Sequence, residues 1–224
     1  MTTAGQQDEA YRTARHNIGV LLAAQPDVAA RIVPATPEWT VRDLLAHLVD
    51  IARMVLGRLS GTPLADTFPS ATADVAELLA EWHRVGPMVE PLLATNDVRA
   101  MLMDAYTHEL DIRLALGEAW PTDHPAFDDA LDLLVSGLGR AITARGLPSV
   151  RIELDGRQWL AGDGTPAATV SGHRLDVYRS LAGRRTPQQI AGLEWSADPR
   201  QWLPAFEWGP FHPPTQPVEA PVRR

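Results

Sequence analysis

Two stretches of this chain share one spacing, Asp43-Leu-Leu-Ala-His47 and Asp104-Ala-Tyr-Thr-His108. Carboxylate oxygen and imidazole nitrogen are common donors to catalytic zinc and related ions, which take three protein ligands and keep one position open. Residues four apart on a helix share a face, with Cβ atoms about 5–6 Å apart. Two such helices side by side would bring His47, Asp104 and His108 to one ion. The chain has no cysteine, so any thiol chemistry must take its thiol from outside. Spacing alone leaves a plainer alternative open, because an Asp and a His four apart also occur as an exposed pair or a satisfied core hydrogen bond.

The two pairs differ in context. Thr40 is a good N-cap, and Asp43, three residues on, completes a variant capping box with Asp in place of Glu. Capping is therefore the favoured role for Asp43, with support of the His47 imidazole as its rival. Asp111, three residues after His108, could orient that imidazole, or pair at the surface with Arg113 or Arg99. Glu109 lies about 100° round the helix from His108 and is a poor ligand for the same ion. His16, His83, His124 and His212 stand alone and read as ordinary surface or interface residues, and His173 as a helix cap. The tryptophans at 159, 195, 202 and 208 suit the core of a small C-terminal unit. There is no phosphate loop, nucleophile elbow or dinucleotide fingerprint.

Helices must position these residues. Apolar spacing predicts helices over roughly 9–24, 41–56, 73–93, 97–116 and 126–145. Pro87 and Pro91 kink or end the third, and Gly117 closes the fourth. After Pro148 the pattern changes to short strands at 150–154, 157–160 and 168–171, a helix at 174–181 closed by Gly183, and a helical turn at 187–190. A last strand at 193–195 and a helix near 200–206 follow. The expected organisation is a helical domain, 1–147, a small α+β domain, 148–210, and a loose proline-rich tail, 211–224. Nothing in this reading predicts a strand before Val150.

The chain has 224 residues, 45% hydrophobic and 21% charged, enough for a real core. A net charge of −8 argues against nucleic acid or an anionic membrane as partner. No apolar run approaches the roughly 20 residues that span a bilayer. The polar N-terminus lacks a signal pattern, so a cytoplasmic protein is expected.

Trp39-Thr-Val-Arg-Asp-Leu-Leu-Ala-His47-Leu resembles the "W-S/T-V-x-D-L-x-x-H-L" signature of the mycothiol-dependent maleylpyruvate isomerase family. The run from Asp104 through His108 to Gly117 resembles that family's "E-x-x-x-H-x-x-D-x-x-x-A-L-G". Val170-Ser-Gly-His and Leu181-Ala-Gly-Arg-Arg-Thr are similar to its small C-terminal domain, related to sterol-carrier proteins. The resemblance implies a DinB-like four-helix bundle followed by an α+β domain. It places His47, Asp104 and His108 at the metal-ligand positions, most naturally for zinc, with Asp104 one methylene shorter than the family's Glu.

The resemblance also implies the chemistry. A metal with an open position would activate mycothiol, an actinobacterial thiol, for addition to a small electrophilic substrate. Loss of the thiol afterwards gives isomerisation, and retention gives S-transfer. Arg184 or Arg185 would hold a carboxylate of substrate or thiol, with a solvent-facing turn as the alternative. Two other readings compete: a non-catalytic small-ligand or metal-binding protein of the same fold, favoured by the Glu-to-Asp change, and a metal-dependent hydrolase.

Overall fold

The computed structural model describes residues 4–61, 64, 66–93 and 95–222; part of the loop expected after the second helix, at 62, 63 and 65, and the last two residues of the tail lie outside them. The chain divides into two compact units, residues 1–130 and 131–224.

The first unit is built on α1 (Ala4–Ala23), α2 (Val41–Leu59), α3 (Val75–Leu93) and α4 (Arg99–Leu116), with a short antiparallel pair, β1 (Ile32–Val33) and β2 (Thr36–Thr40), between α1 and α2. Helical spacing of apolar residues sets the buried faces. Ala10, Tyr11, Ala14, Ile18 and Leu22 line α1, and Leu78, Trp82, Val85, Val89 and Leu93 line α3. α2 packs on α3 and α4, and α1 on α3 and α4. The capping box forms as expected: the Thr40 hydroxyl accepts from Asp43 N–H, and an Asp43 carboxylate oxygen accepts from Thr40 N–H. α4 is buried on nearly every side from Ala105 to Ile112, so each polar group there needs a partner inside the protein. Gly117 ends it in the left-handed region, at φ 74°.

One expectation changes here: the β1–β2 pair lies where only loop was expected. The third helix ends at Leu93 as expected, with Pro87 and Pro91 inside it rather than ending it. Both prolines are on the exposed face, where water can take up the carbonyls that a missing N–H leaves unbonded.

α5 (Phe127–Ala144) lies mostly in the second unit. That unit's sheet has the order β4-β3-β5-β6, from β3 (Val150–Leu154), β4 (Arg157–Ala161), β5 (Ala168–Ser171) and β6 (Glu194–Trp195). β3 and β4 are antiparallel across Asp155-Gly156, both at positive φ, while β5 runs parallel to β3. Val150, Ile152, Leu154, Ala168 and Val170 form its buried face, and α6 (Arg174–Leu181) contributes Leu175, Val177, Tyr178 and Leu181 to the core. His173 caps α6, accepting from Leu175 N–H. α7 is Pro187–Ala191, and residues 199–206 form two 3₁₀ turns rather than the expected α-helix.

The tail is not loose as far as Val222. Glu219 is buried, its carboxylate held by Arg179 (Nε–H and Nη2–H at 2.8 and 2.6 Å) and by Arg185. Arg185 also donates to Asp176 at 2.6 Å, and the Val222 N–H reaches the same carboxylate at 3.1 Å. Proline density made this segment read as unstructured, and one buried carboxylate fixes it. Among the described residues no helix is long and apolar enough to cross a membrane.

Candidate metal centre

His47 sits in the second turn of α2, and Asp104 and His108 share a face of α4. Packing of α2 on α4 brings the three together: one potential donor atom from each lies within 4.8 Å of the others. His47 Nε2 is 3.2 Å from Asp104 Oδ2, and His108 Nε2 is 3.4 Å from Asp104 Oδ1. The short side chain of Asp104 therefore spans to both imidazoles directly. Donors about 2.0–2.2 Å from a tetrahedral ion lie about 3.3 Å from one another, so the carboxylate–imidazole separations suit such an ion. The imidazole planes are nearly perpendicular, 82° apart, with centroids separated by 5.3 Å. The cluster opens to solvent at His47 and Asp104, whose side chains are 29% and 26% exposed against 9% for His108.

The cluster's electrostatics follow from this arrangement. Burial would raise the Asp104 pKa, but hydrogen bonds and charge from His108 and His47 outweigh it and hold the carboxyl below its usual range. Burial would lower that of His108, but Asp104 on one nitrogen and Asp111 on the other push it up to about 8. Asp111 is completely buried, with its carboxylate 3.0 Å from His108 Nδ1. Of the two positions open to Asp111, the structure selects the imidazole over the surface. A carboxylate behind a ligating histidine fixes its tautomer and makes its other nitrogen a better donor. Asp43 bonds to Thr40 and Arg42, as a cap does.

Arg184 and Arg185 lie in the second unit and are buried. Arg184 donates to the Ala182 carbonyl, while Arg185 meets Asp176 and Glu219. Neither stands in a solvent-facing turn.

Sequence reasoning missed two features. His124 is buried rather than a surface residue. Its Nδ1 accepts from Ala126 N–H at 3.0 Å, its Nε2 is 3.2 Å from Glu109, and its ring stacks on Tyr106 at 4.5 Å. Glu109, turned away from the cluster, also accepts from Asn17 and Arg113. The Glu109–Arg113 spacing was a visible signal for part of this network, but nothing local pointed to His124. The second feature is Trp39, whose indole lies beside both candidate ligand imidazoles.

Solved structures with this fold include a mycothiol-dependent maleylpyruvate isomerase, with a TM-score of 0.61 and 16% identity over 88% of this chain and 97% of that one. A histidine-to-alanine mutant described by the same enzyme name matches with a TM-score of 0.58 and 13% identity, at the same coverage. At such identities the likeness establishes the fold. No curated protein sequence shows significant similarity to the chain. The DinB superfamily model matches residues 10–136, more than half of the sequence and all three residues of the cluster, and the chain belongs to the DinB superfamily.

Proposed function

We propose that this protein is a metal-dependent enzyme that uses a low-molecular-weight thiol, mycothiol, to isomerise a small electrophile or to conjugate it through the thiol's sulfur. The observation that carries the reading is the approach of both imidazole Nε2 atoms to one carboxylate, at separations that suit a shared ion. The fold likeness to a mycothiol-dependent isomerase supports the choice of thiol, and the absence of cysteine fits a nucleophile supplied from outside.

His47, Asp104 and His108 would hold the ion, with zinc the natural occupant of two imidazoles and a carboxylate. Bound there, it would supply a Lewis acid that lowers the pKa of a thiol at its open position. The chain's own groups do the rest. Asp104 is already ionised and brings the negative charge. His108 must give up the Nε2 proton it shares with Asp104, and His47 must turn an Nε2 lone pair to the ion. Asp111 keeps the Nδ1 proton of His108 in place, so that Nε2 is the nitrogen freed. The exposed edge at His47 and Asp104 is the side from which thiol and electrophile would approach. Sulfur attack on a conjugated double bond leaves a single bond free to rotate, and its expulsion restores the double bond in the other geometry.

Metal analysis of the purified protein beside His47→Ala and His108→Ala tests the site. About one divalent ion per chain is expected, and its loss in each variant. Full retention in both would remove these residues from the site. Turnover of maleylpyruvate with and without mycothiol then separates the readings: thiol-independent turnover points to hydrolysis or another reaction, and tight metal binding without turnover points to a binding protein.

A further inference from the structure

The two candidate ligand histidines are supported unequally. His108 has Asp111 behind its Nδ1. Among the described residues no hydrogen bond reaches Nδ1 of His47, whose only hydrogen-bond partner is Asp104. A histidine that ligates a metal normally has its ring orientation set by a partner on the second nitrogen. For His47 no protein group among the described residues does this by hydrogen bonding, and its side chain is 29% exposed, so contact with a neighbouring side chain is the protein's means of holding the ring.

The adjacent group is an aromatic ring. The Trp39 indole lies 5.1 Å from the His47 imidazole, tilted by 45°, and 6.1 Å from that of His108, tilted by 37°. With the 5.3 Å between the imidazoles, three rings form a triangle whose sides all fall within aromatic contact range, about 4.5–7 Å. The backbone under the indole is fixed as well. Trp39 is one residue before the Thr40 cap, and Thr40 pairs with Ile32 in the strand register. The indole is thus attached at a rigid strand-to-helix junction, and rotation of the His47 ring would drive it into that surface.

We propose that Trp39 is a positioning residue for His47: its indole does by contact what Asp111 does for His108 by hydrogen bonding. The proposal rests on the reading that the cluster holds a divalent ion. It assigns to the short β1–β2 pair the task of carrying that support.

Cobalt(II) is the probe, because its visible absorption reports ligand geometry as well as occupancy. In the full-length protein, Trp39→Ala is expected to bind cobalt about 10–100-fold more weakly, the range for loss of a group that orients a ligating histidine, with an altered band. Trp39→Phe keeps a ring and should stay close to wild type, which loss of general packing would not explain. Wild-type affinity and an unchanged band in Trp39→Ala overturn the proposal. If the wild type itself binds no cobalt, the metal reading fails, and histidine-labelled metal-free protein decides the positioning role. The nuclear Overhauser contact between the His47 and His108 rings should then vanish in Trp39→Ala and return in Trp39→Phe. Its persistence in Trp39→Ala overturns the proposal in that case too.

Discussion

Asp104 Oδ2 lies 3.2 Å from His47 Nε2 although 57 residues separate them, so the shorter acid does not stop α4 from reaching α2. This contact needs neither a bridging water nor a longer side chain. Asp104→Ala should abolish stable metal binding, since two imidazoles alone fall short of the three protein ligands of a catalytic centre. Asp104→Glu adds one methylene where contact is already made, and should bind more weakly than wild type but more tightly than Asp104→Ala. Equilibrium dialysis against zinc ranks the three. A tighter Glu variant would show that the aspartate is a strained fit.

The metal-free protein should lose stability on the alkaline side. The His108 pKa is raised from 6.5 to about 8, so its contribution is full below 6.5 and fades as pH rises through about 8. The amount is about 2 kcal/mol at most. Asp104 is shifted the other way, so its contribution is present above 3.8 and is lost only in strong acid. The two shifts describe largely one contact and are not summed. Thermal melts in chelator at about pH 6 and about pH 9 should show the fall, and Asp104→Asn should flatten it. Metal affinity should move oppositely, rising with pH as Nε2 protons leave.

Asp111→Ala should weaken metal binding about 10–100-fold by freeing the His108 ring. It also leaves a buried Nδ1–H without its acceptor, a loss of about 1–3 kcal/mol in stability. Asp111→Asn keeps an acceptor oxygen and should recover most of the stability but less of the affinity. Urea unfolding and metal titration separate these effects.

What the sequence disclosed and what it hid follow from the range of each interaction. The α2 start was legible because Thr40 and Asp43 bond to each other, and the α4 end because Gly117 supplies a left-handed turn. The Asp104–His108 pair is likewise local, but its meeting with His47 depends on how α2 packs on α4. His124 was misplaced because Glu109 and Tyr106 stand 15 and 18 positions upstream, beyond any helical period. The β1–β2 pair escaped because β1 is two residues long and Pro34 and Pro37 interrupt any alternating pattern there. In the tail, Glu219 is 40 residues from Arg179, beyond any local pattern, and the prolines at 213, 214, 217 and 221 read as loop.

That tail contact should dominate the stability of the second unit. Glu219→Ala removes a carboxylate that both Arg179 and Arg185 contact in the interior, and removing one partner of a buried ion cluster typically destabilises by about 3–5 kcal/mol. Glu219→Gln keeps the shape without the charge and should also destabilise. Calorimetry of the full chain measures both, and a near-unchanged melt for Glu219→Ala would show the cluster to be dispensable.

The same cluster has an evolutionary consequence. Asp176, Arg179, Arg185 and Glu219 compensate one another's charge in the interior, yet replacement of a whole buried ionic set by well-packed apolar residues is often neutral or stabilising. Single steps away from the present set are therefore blocked, while a joint change is not. Across relatives these four positions should covary as a unit, either all ionic or all apolar, so that substitutions near the end of the chain carry the history of α6.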